Sequence, residues 1–535
     1  MLSSISSFEA NALNRITFGA RAQDIARVRT MGWSAWVDDQ LNPPAGDEPD
    51  LAAHINQLAM RIKYAGQAPF GNIPGWQPLD QTRPLTYLKL DNAGLWDIAR
   101  RSDVSLAPNE RYRIQQEMNA VTWVRNVHSR YQIREFMSDF WNNHFTIGRQ
   151  ECIYGTASLP LYDTQVIRPR VFGSFRDLLG AVARSPSMLR FLNNSESTAD
   201  HPNENYAREL LELHTLGAPA YVGITAPASL GTVEVVGRQV AAGFSDQDIV
   251  QASRALSGWT LEQGQAGPNG ILPFTGNFIF NPLQHNAQAG MFMGVDLSRL
   301  SGMAQGELIL DIVANHPATA DFMVRKIARR IFGDAPPEGA ILGAKGVWLS
   351  TRGRPDQLKQ VMRALTVSGM EQMGLPAAKV RRPYERLIAF LRTTDTVINA
   401  YDGAWLVFSS LGDGMFVWAT PEGRPDTDAQ WQTAAANLET WNTLLQIMST
   451  PSLRTSLYDQ TPLEYAGSAI QIVEYWVGRM VGRTLRPAAM QALIDEALTP
   501  IGVLAAYRSA GINNIETALR RLTSLIAISP EFGMR

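Results

Sequence analysis

The chain has one cysteine, Cys152, in 535 residues. That excludes an intrachain disulfide and any paired-cysteine zinc or redox site, and leaves the compartment open. A basic excess is missing too. Its 48 Lys and Arg stand against 50 Asp and Glu, for a net charge of −2. A nucleic-acid groove needs clustered cations, so no nucleic-acid partner is expected. No run reaches the roughly 18 apolar residues of a membrane span, so no integral membrane segment is expected either. The opening MLSSISSFEANALNRITFG has neither a basic n-region nor an apolar h-region and does not read as a signal peptide. HExxH, GxSxG, a P-loop and an EF-hand loop are all absent.

What remains is an ordinary globular composition, 45% hydrophobic and 18% charged, which reads as soluble. The length exceeds the roughly 250–300 residues at which a single core stops growing. Apolar residues recur with helical spacing nearly everywhere. Ile133, Phe136, Met137, Phe140, Trp141 and His144 share one face of a helix over 131–145. Ser245 to Asp248 has the form of a capping box, with Ile249, Ala252 and Leu256 following on one face. His316-Pro317 divides 302–332 into two helices. The stretches 382–397, 428–449, 462–480, 486–498 and 514–528 repeat the amphipathic pattern. Extended segments are expected only at Thr232–Val236 and Phe274–Phe280. Gly, Pro and Asn concentrate in loops at 66–83, 194–203, 218–244, 261–300 and 412–428. The expected fold class is all-α, a large multi-helix protein with small β-ribbon excursions in long loops. An N-terminal helical region, 1–360, would carry the polar motifs, followed by a C-terminal helical region, 361–535, or the two would form one fused unit.

The richest polar stretch is PNENYARELLELHTLG, residues 202–217. Ala207, Leu210, Leu211 and His214 share its apolar face, while Glu204, Arg208 and Glu212 form an i, i+4, i+8 ladder flanked by Asn205 and Glu209. Such a ladder is ordinary for a solvated helix face held by surface ion pairs. The alternative is chemistry. His144 also lies on the apolar side of its helix, so two histidines could converge with Glu204 or Glu209. A His/carboxylate set of that kind suits zinc or iron, although a lone His on an apolar face is more often a hydrogen-bonded core residue. His201 and His285 lie in loops that could approach the same pocket, whereas His316 reads as a helix-end residue and His54 and His128 look incidental. Met291 and Met293 in GMFMG read as packing. In MFVWATPEGRPDTDAQW the Pro/Gly cluster reads as a turn before the helix containing Trp431, with carbohydrate stacking on Trp418 and Trp431 as the alternative.

Several long motifs together carry a resemblance. ALNRITFGA, GWSAWVDDQLNPP, FWNNHFTI, LYDTQVIRPRVFGSFRDLLGAVARSPSMLRFLNN, PNENYARELLELHTLG, RALSGWT, ANHPATADFMVRKIARRIF, MFVWATPEGRPDTDAQW and SLIAISPEF are similar to a widespread bacterial family, the domain of unknown function number eighteen hundred. The resemblance runs from about Ala12 to Phe532. It implies an uncharacterised protein whose relatives are often exported. Their genes often neighbour a family related to sulfatases and alkaline phosphatases, which makes such a protein a candidate partner. Carried over by position, the family's polar signatures fall on His144, Asn203, Glu204, Asn205, Arg208, Glu209, Glu212 and His214, and on Arg254, Gly258 and Trp259. The chain departs from the pattern in four ways. Asn142-Asn143 replaces a common His-Asn pair, Asn286 follows His285 where an Asp is usual, residues 218–243 look inserted, and no export signal is visible.

Two functions compete. The first is an enzyme acting hydrolytically or oxidatively, with Glu204, Arg208, Glu209 and Glu212 as catalytic candidates. His144 and His214 would be ligands of a divalent metal ion, zinc or iron, and Arg254 and His285 would contact substrate. The second is a non-catalytic accessory of a sulfatase-like partner, docked through the loop aromatics Trp76, Phe274, Phe278, Phe280 and Phe292.

Overall fold

A computed structural model of the chain describes residues 8–101, 105–148, 153–224, 229–373, 379–398, 413–449, 455–462, 468–483, 485–501 and 512–535. Cys152, residues 225–228 of the inserted segment, Gly412 and residues 463–467 lie outside the described residues.

The fold is mostly α, with short two-stranded antiparallel ribbons among the helices. The local chemistry explains the boundaries. Before the helix Asp246–Ala255 the Ser245 backbone N–H donates to Asp248 Oδ2 at 2.8 Å, closing the capping box. His316 takes an extended conformation between the helices Met303–Asn315 and Pro317–Phe332. Its Nδ1 accepts the Ala318 N–H, so the histidine caps the second helix itself. The 131–145 pattern becomes the helix Gln132–His144, and 382–397 becomes Pro383–Thr393. The 428–449 stretch splits into Asp428–Trp431 and Ala434–Ser449. The remaining C-terminal stretches are Ala469–Val481, Pro487–Ile501 and Ile512–Ile528.

Of the ribbons, Thr232–Val235 pairs with Arg238–Ala241 across Val236 and Gly237, both at positive φ as a tight hairpin turn requires. Phe274–Phe280 pairs with Trp259–Gln263. Ala59–Tyr64 pairs with Leu79–Pro84, and this second strand lies almost wholly within the expected loop 66–83. Leu79-Asp80-Gln81-Thr82-Arg83-Pro84 is largely exposed and polar, so it carries no period-2 apolar signal.

Among the described residues two large hydrophobic clusters, with two small ones beside them, form the interior, and both large ones draw on widely separated parts of the chain. The second joins Phe18, Leu51 and Trp123 to residues running from Tyr384 to Phe532. Residue 360 lies within the helix Gln357–Ala364. Between the clusters runs a buried ionic network centred on Asp139 and Glu385. Asp139 accepts from Arg330 (3.1 Å), Arg424 (2.9 Å) and Arg382 (2.5 Å). Glu385 pairs with Arg330 and with Arg535, the latter at 3.2 Å. Burial alone would raise both carboxyls, yet the surrounding guanidiniums hold both well below the ordinary carboxylate range. No described helix is long and apolar enough to cross a membrane.

Removing one member of such a network strands the others in a low dielectric. Asp139→Asn should therefore destabilise by about 3–5 kcal/mol, read as a large fall in melting temperature. Arg325→Ala breaks exposed pairs to Asp321 and Glu338. It should cost less than about 1 kcal/mol.

Candidate functional site

All thirteen residues of the helix Gln132–His144 are buried, so its last residue delivers an imidazole into the interior. The His144 ring is boxed by Phe140, Phe145 and Phe322. The His214 ring approaches with 6.2 Å between centroids. The two histidines therefore meet, as their shared placement on apolar faces suggested.

Their bonding is specific. His144 Nε2 lies 3.1 Å from the His214 carbonyl and Nδ1 lies 3.1 Å from Lys326 Nζ. A carbonyl only accepts, so Nε2 carries the proton and Nδ1 accepts from the lysine. The residues form a short chain in which an ammonium donates to an imidazole and the imidazole donates to a backbone oxygen. Burial, then Lys326 and His214, push the His144 pKa well below its ordinary value. Burial and then Lys326 take His214 down to about 3. Among the described residues His214 Nε2 is buried without a hydrogen-bond partner. On Lys326, burial pulls the ammonium down to about 8 against the opposing effect of Asp426 and Glu422.

Among the described residues no group of three His, Cys, Asp or Glu side chains is placed to hold a metal ion. Both ring nitrogens of His144 are already engaged. The donor set does not fit a zinc or iron site, and the chemistry open to these residues is proton transfer.

The helix Glu204–Glu212 brings the acids to this neighbourhood. Asn203 caps it, accepting the Tyr206 N–H at 2.9 Å, and Ala207, Leu210, Leu211 and His214 are buried as their spacing predicts. The ladder forms only in part. Arg208 pairs with Glu212 at 3.1 Å and reaches Asp246 of the next helix at 3.5 Å, with its guanidinium over the Tyr221 ring. Glu204 is exposed and stands apart from that pair. Glu209 is half-buried, and its carboxyl is raised by burial, then by Glu212 and Glu422.

Arg254 and His285 belong to a different neighbourhood. His285 Nδ1 donates to the Ser257 carbonyl at 3.0 Å and Nε2 lies 3.1 Å from Gln305 Oε1, while Arg254 donates to the Gln288 carbonyl. Both sites of the imidazole are used to hold the loop against the Gly258 turn. A Cβ on Gly258 would lie 2.7 Å from the Asn281 carbonyl, and its φ is +76°. His201 is exposed. The two asparagines before His144 are structural: Asn142 donates to Asp163, and Asn143 exchanges hydrogen bonds with Arg424.

The loop aromatics do not assemble into one surface. Phe292 is fully buried, Phe274 packs on Trp96 and Tyr154, and Phe278 packs on Trp259. The Trp431 indole donates to the Pro425 carbonyl, as a turn anchor would. A cavity of about 450 Å³ lies elsewhere, walled by Arg125, Arg134 and Arg168.

Lys326 and Glu422 were missed by sequence reasoning. Lys326 sits between Arg325 and Arg329 on an amphipathic helix and looks like one more solvated cation. Only the interruption of the Met323, Val324 and Ile327 face hints at its setting. Glu422 sits in a turn whose backbone docks beside Asn143, where a Cβ on Gly423 would lie 2.2 Å from the Asn143 carbonyl.

A family model described as "Protein of unknown function (DUF1800)" matches residues 11–534, and the chain belongs to that family. No curated protein and no solved structure matches.

The depressed histidines set an acid limit. An unfolded histidine binds its proton near pH 6.5. His128 and His214 do so in the fold only near 3, and His316 near 4. The unfolded state therefore binds more protons between those values. Stability is full above about pH 6.5 and falls as the pH drops through that window. Melting temperature should decline steadily from about pH 7 to about pH 5, and His214→Gln should flatten that slope.

Proposed function

For this member of the family we propose an enzyme that hydrolyses its substrate by proton transfer, with Glu209 as general base and Lys326 as general acid. The observation that carries this reading is the opposite displacement of the two groups. Burial raises the Glu209 carboxyl and lowers the Lys326 ammonium to about 8; Glu422 adds to the first shift and opposes the second. A desolvated carboxylate is a stronger base than one in water, and a desolvated ammonium is a stronger acid. Environments that push a carboxyl and an amine towards neutrality suit acid–base work near pH 7.

In this scheme the ionised Glu209 takes a proton from water as the water oxygen attacks. The Lys326 ammonium stabilises the developing negative charge and then protonates the leaving group. His144 is a positioning residue. Its lone pair at Nδ1 fixes where the ammonium points, and its Nε2–H is anchored on the His214 carbonyl. Arg208, tied to Glu212, restrains the helix that carries Glu209 and keeps Glu212 from adding its full repulsion. The accessory role for a sulfatase-like partner draws less support, because Phe292 is buried and Phe274 and Phe278 are packed against separate aromatic neighbours.

Purified protein should hydrolyse at least one class in a panel of p-nitrophenyl esters, phosphates and glycosides, with a bell-shaped pH profile whose basic limb lies near 8. Glu209→Gln and Lys326→Met should each lower kcat/KM by about 10²–10⁴-fold. Glu338→Gln on the surface should leave it unchanged. Independently of substrate, reductive ¹³C-methylation and NMR titration should place the Lys326 midpoint near 8. A midpoint near the ordinary value of about 10.4 overturns the assignment.

A further inference from the structure

The helix Gln132–His144 has a second polar end. Arg134 and Glu135 lie about 15 Å along the axis from His144, at about 1.5 Å per residue. Arg134 belongs to the wall of the 450 Å³ cavity, together with Arg125, Arg168 and the turn Pro43–Asp47, and Glu135 stands behind that wall. A smaller cavity of about 200 Å³ adjoins it, and Arg125 and Thr164 line both. The smaller chamber has an apolar side formed by Leu85, Leu88, Met118 and Val121, with Asn56, Lys89, Asp163 and Thr164 supplying polar lining.

The charges are arranged asymmetrically. Arg168 makes a two-pronged contact with Glu135, both bonds at 2.8 Å. Arg134 donates to Glu48, Glu135 and the carbonyls of Pro44 and Gly46. Arg125 grips Asp47 through Nε and Nη2. Burial alone would raise the Glu135 carboxyl, but Arg168 and Arg134 hold it at about 2, so the pair stays ionised. Counted over all partners the charges nearly cancel. The surface facing the larger chamber is different. It presents three guanidiniums and one carboxylate, Asp47, because Glu48 and Glu135 stand behind the wall and Asp163 faces the smaller chamber. Arg125 Nη1 points to the junction, where its ion pair to Asp163 is long, 3.6 Å, and it makes no hydrogen bond among the described residues.

We infer that the joined cavities bind a small amphipathic organic anion, its phosphate or carboxylate head received by Arg125 at the junction and its short apolar group seated between Leu88 and Val121. The carboxylates behind the wall lock the arginine side chains, so an incoming anion meets donors already ordered and spends little side-chain entropy. A planar guanidinium suits either oxyanion head. The 200 Å³ chamber holds about seven water-sized volumes, which limits the tail to a short alkyl or a single ring. This site is separate from the Lys326–His144 chain and does not depend on what that chain does.

Calorimetry on the full chain with hexyl phosphate, hexanoate, inorganic phosphate and 1-hexanol tests the inference. At least one of the two hexyl anions should bind about tenfold or more tighter than inorganic phosphate and hexanol alike, since a tail buried on that apolar side accounts for a factor of that size. Leu88→Trp fills the smaller chamber and should erase that advantage while sparing inorganic phosphate. Ala45→Asp, a rim change on an exposed residue of the cavity wall, should weaken every anion and leave hexanol unaffected. Ala45→Ser is the folding control. Hexyl anions binding no better than inorganic phosphate, or an unchanged affinity in Ala45→Asp, would overturn the site.

Discussion

Neutralising Asp139 inside the protein is the constraint on which the rest of this structure depends. A carboxylate with almost no exposure is tolerated only if guanidiniums reach it, and three do, from the helix Pro317–Phe332, from Arg382 and from Arg424. Each tether fixes something nearby. Arg330 sets the helix that carries Lys326. Arg424 holds the turn that carries Glu422, and its hydrogen bonds to Asn143 seat that turn one residue before His144. The candidate site is in this sense a by-product of charge compensation. The elements that contribute its amine, its imidazole and Glu422 are the elements that Asp139 gathers.

The same reasoning explains why the site's pKa values move in opposite directions. Where guanidiniums crowd a buried acid, as at Glu385, the carboxyl is forced down. Where a half-buried acid has only a distracted arginine and two acidic neighbours, as at Glu209, it is forced up. Lys326 sits between these regimes. It has carboxylates near enough to be felt, but its hydrogen bond goes to a neutral ring instead of an anion. An ammonium so placed keeps its charge at neutral pH yet gives it up more readily than a surface lysine.

The sequence made the helices visible wherever apolar spacing was strict, as in Phe136, Phe140 and His144, and wherever a cap was spelled out, as at Ser245. That periodicity also placed His144 and His214 on inner faces, so their meeting was legible. Their partners were not. Lys326 reads as surface because flanking arginines are surface, and nothing local says that the turn around Glu422 will fold over it. Of the ladder Glu204–Arg208–Glu212 only the second rung forms, because spacing makes a pair possible but Arg208 turns to Glu212 and to Asp246 on another helix. The ribbon Ala59–Tyr64 with Leu79–Pro84 was invisible because its second strand has almost no buried face. The arginine-walled cavity was equally hidden, since its wall is assembled from a proline-rich turn and residues more than eighty positions apart.

The helix Gln132–His144 also carries a kinetic consequence. Its acid finds Arg330, Arg382 and Arg424 at separations of 191, 243 and 285 residues. Closing loops of that length costs entropy that is repaid only when the contact forms, so topology of this kind slows folding. During synthesis the segment leaves the ribosome long before its cations exist. A nascent chain halted near residue 300 would hold an apolar helix with uncompensated charge and no finished interior to receive it, the kind of species that aggregates or engages chaperones.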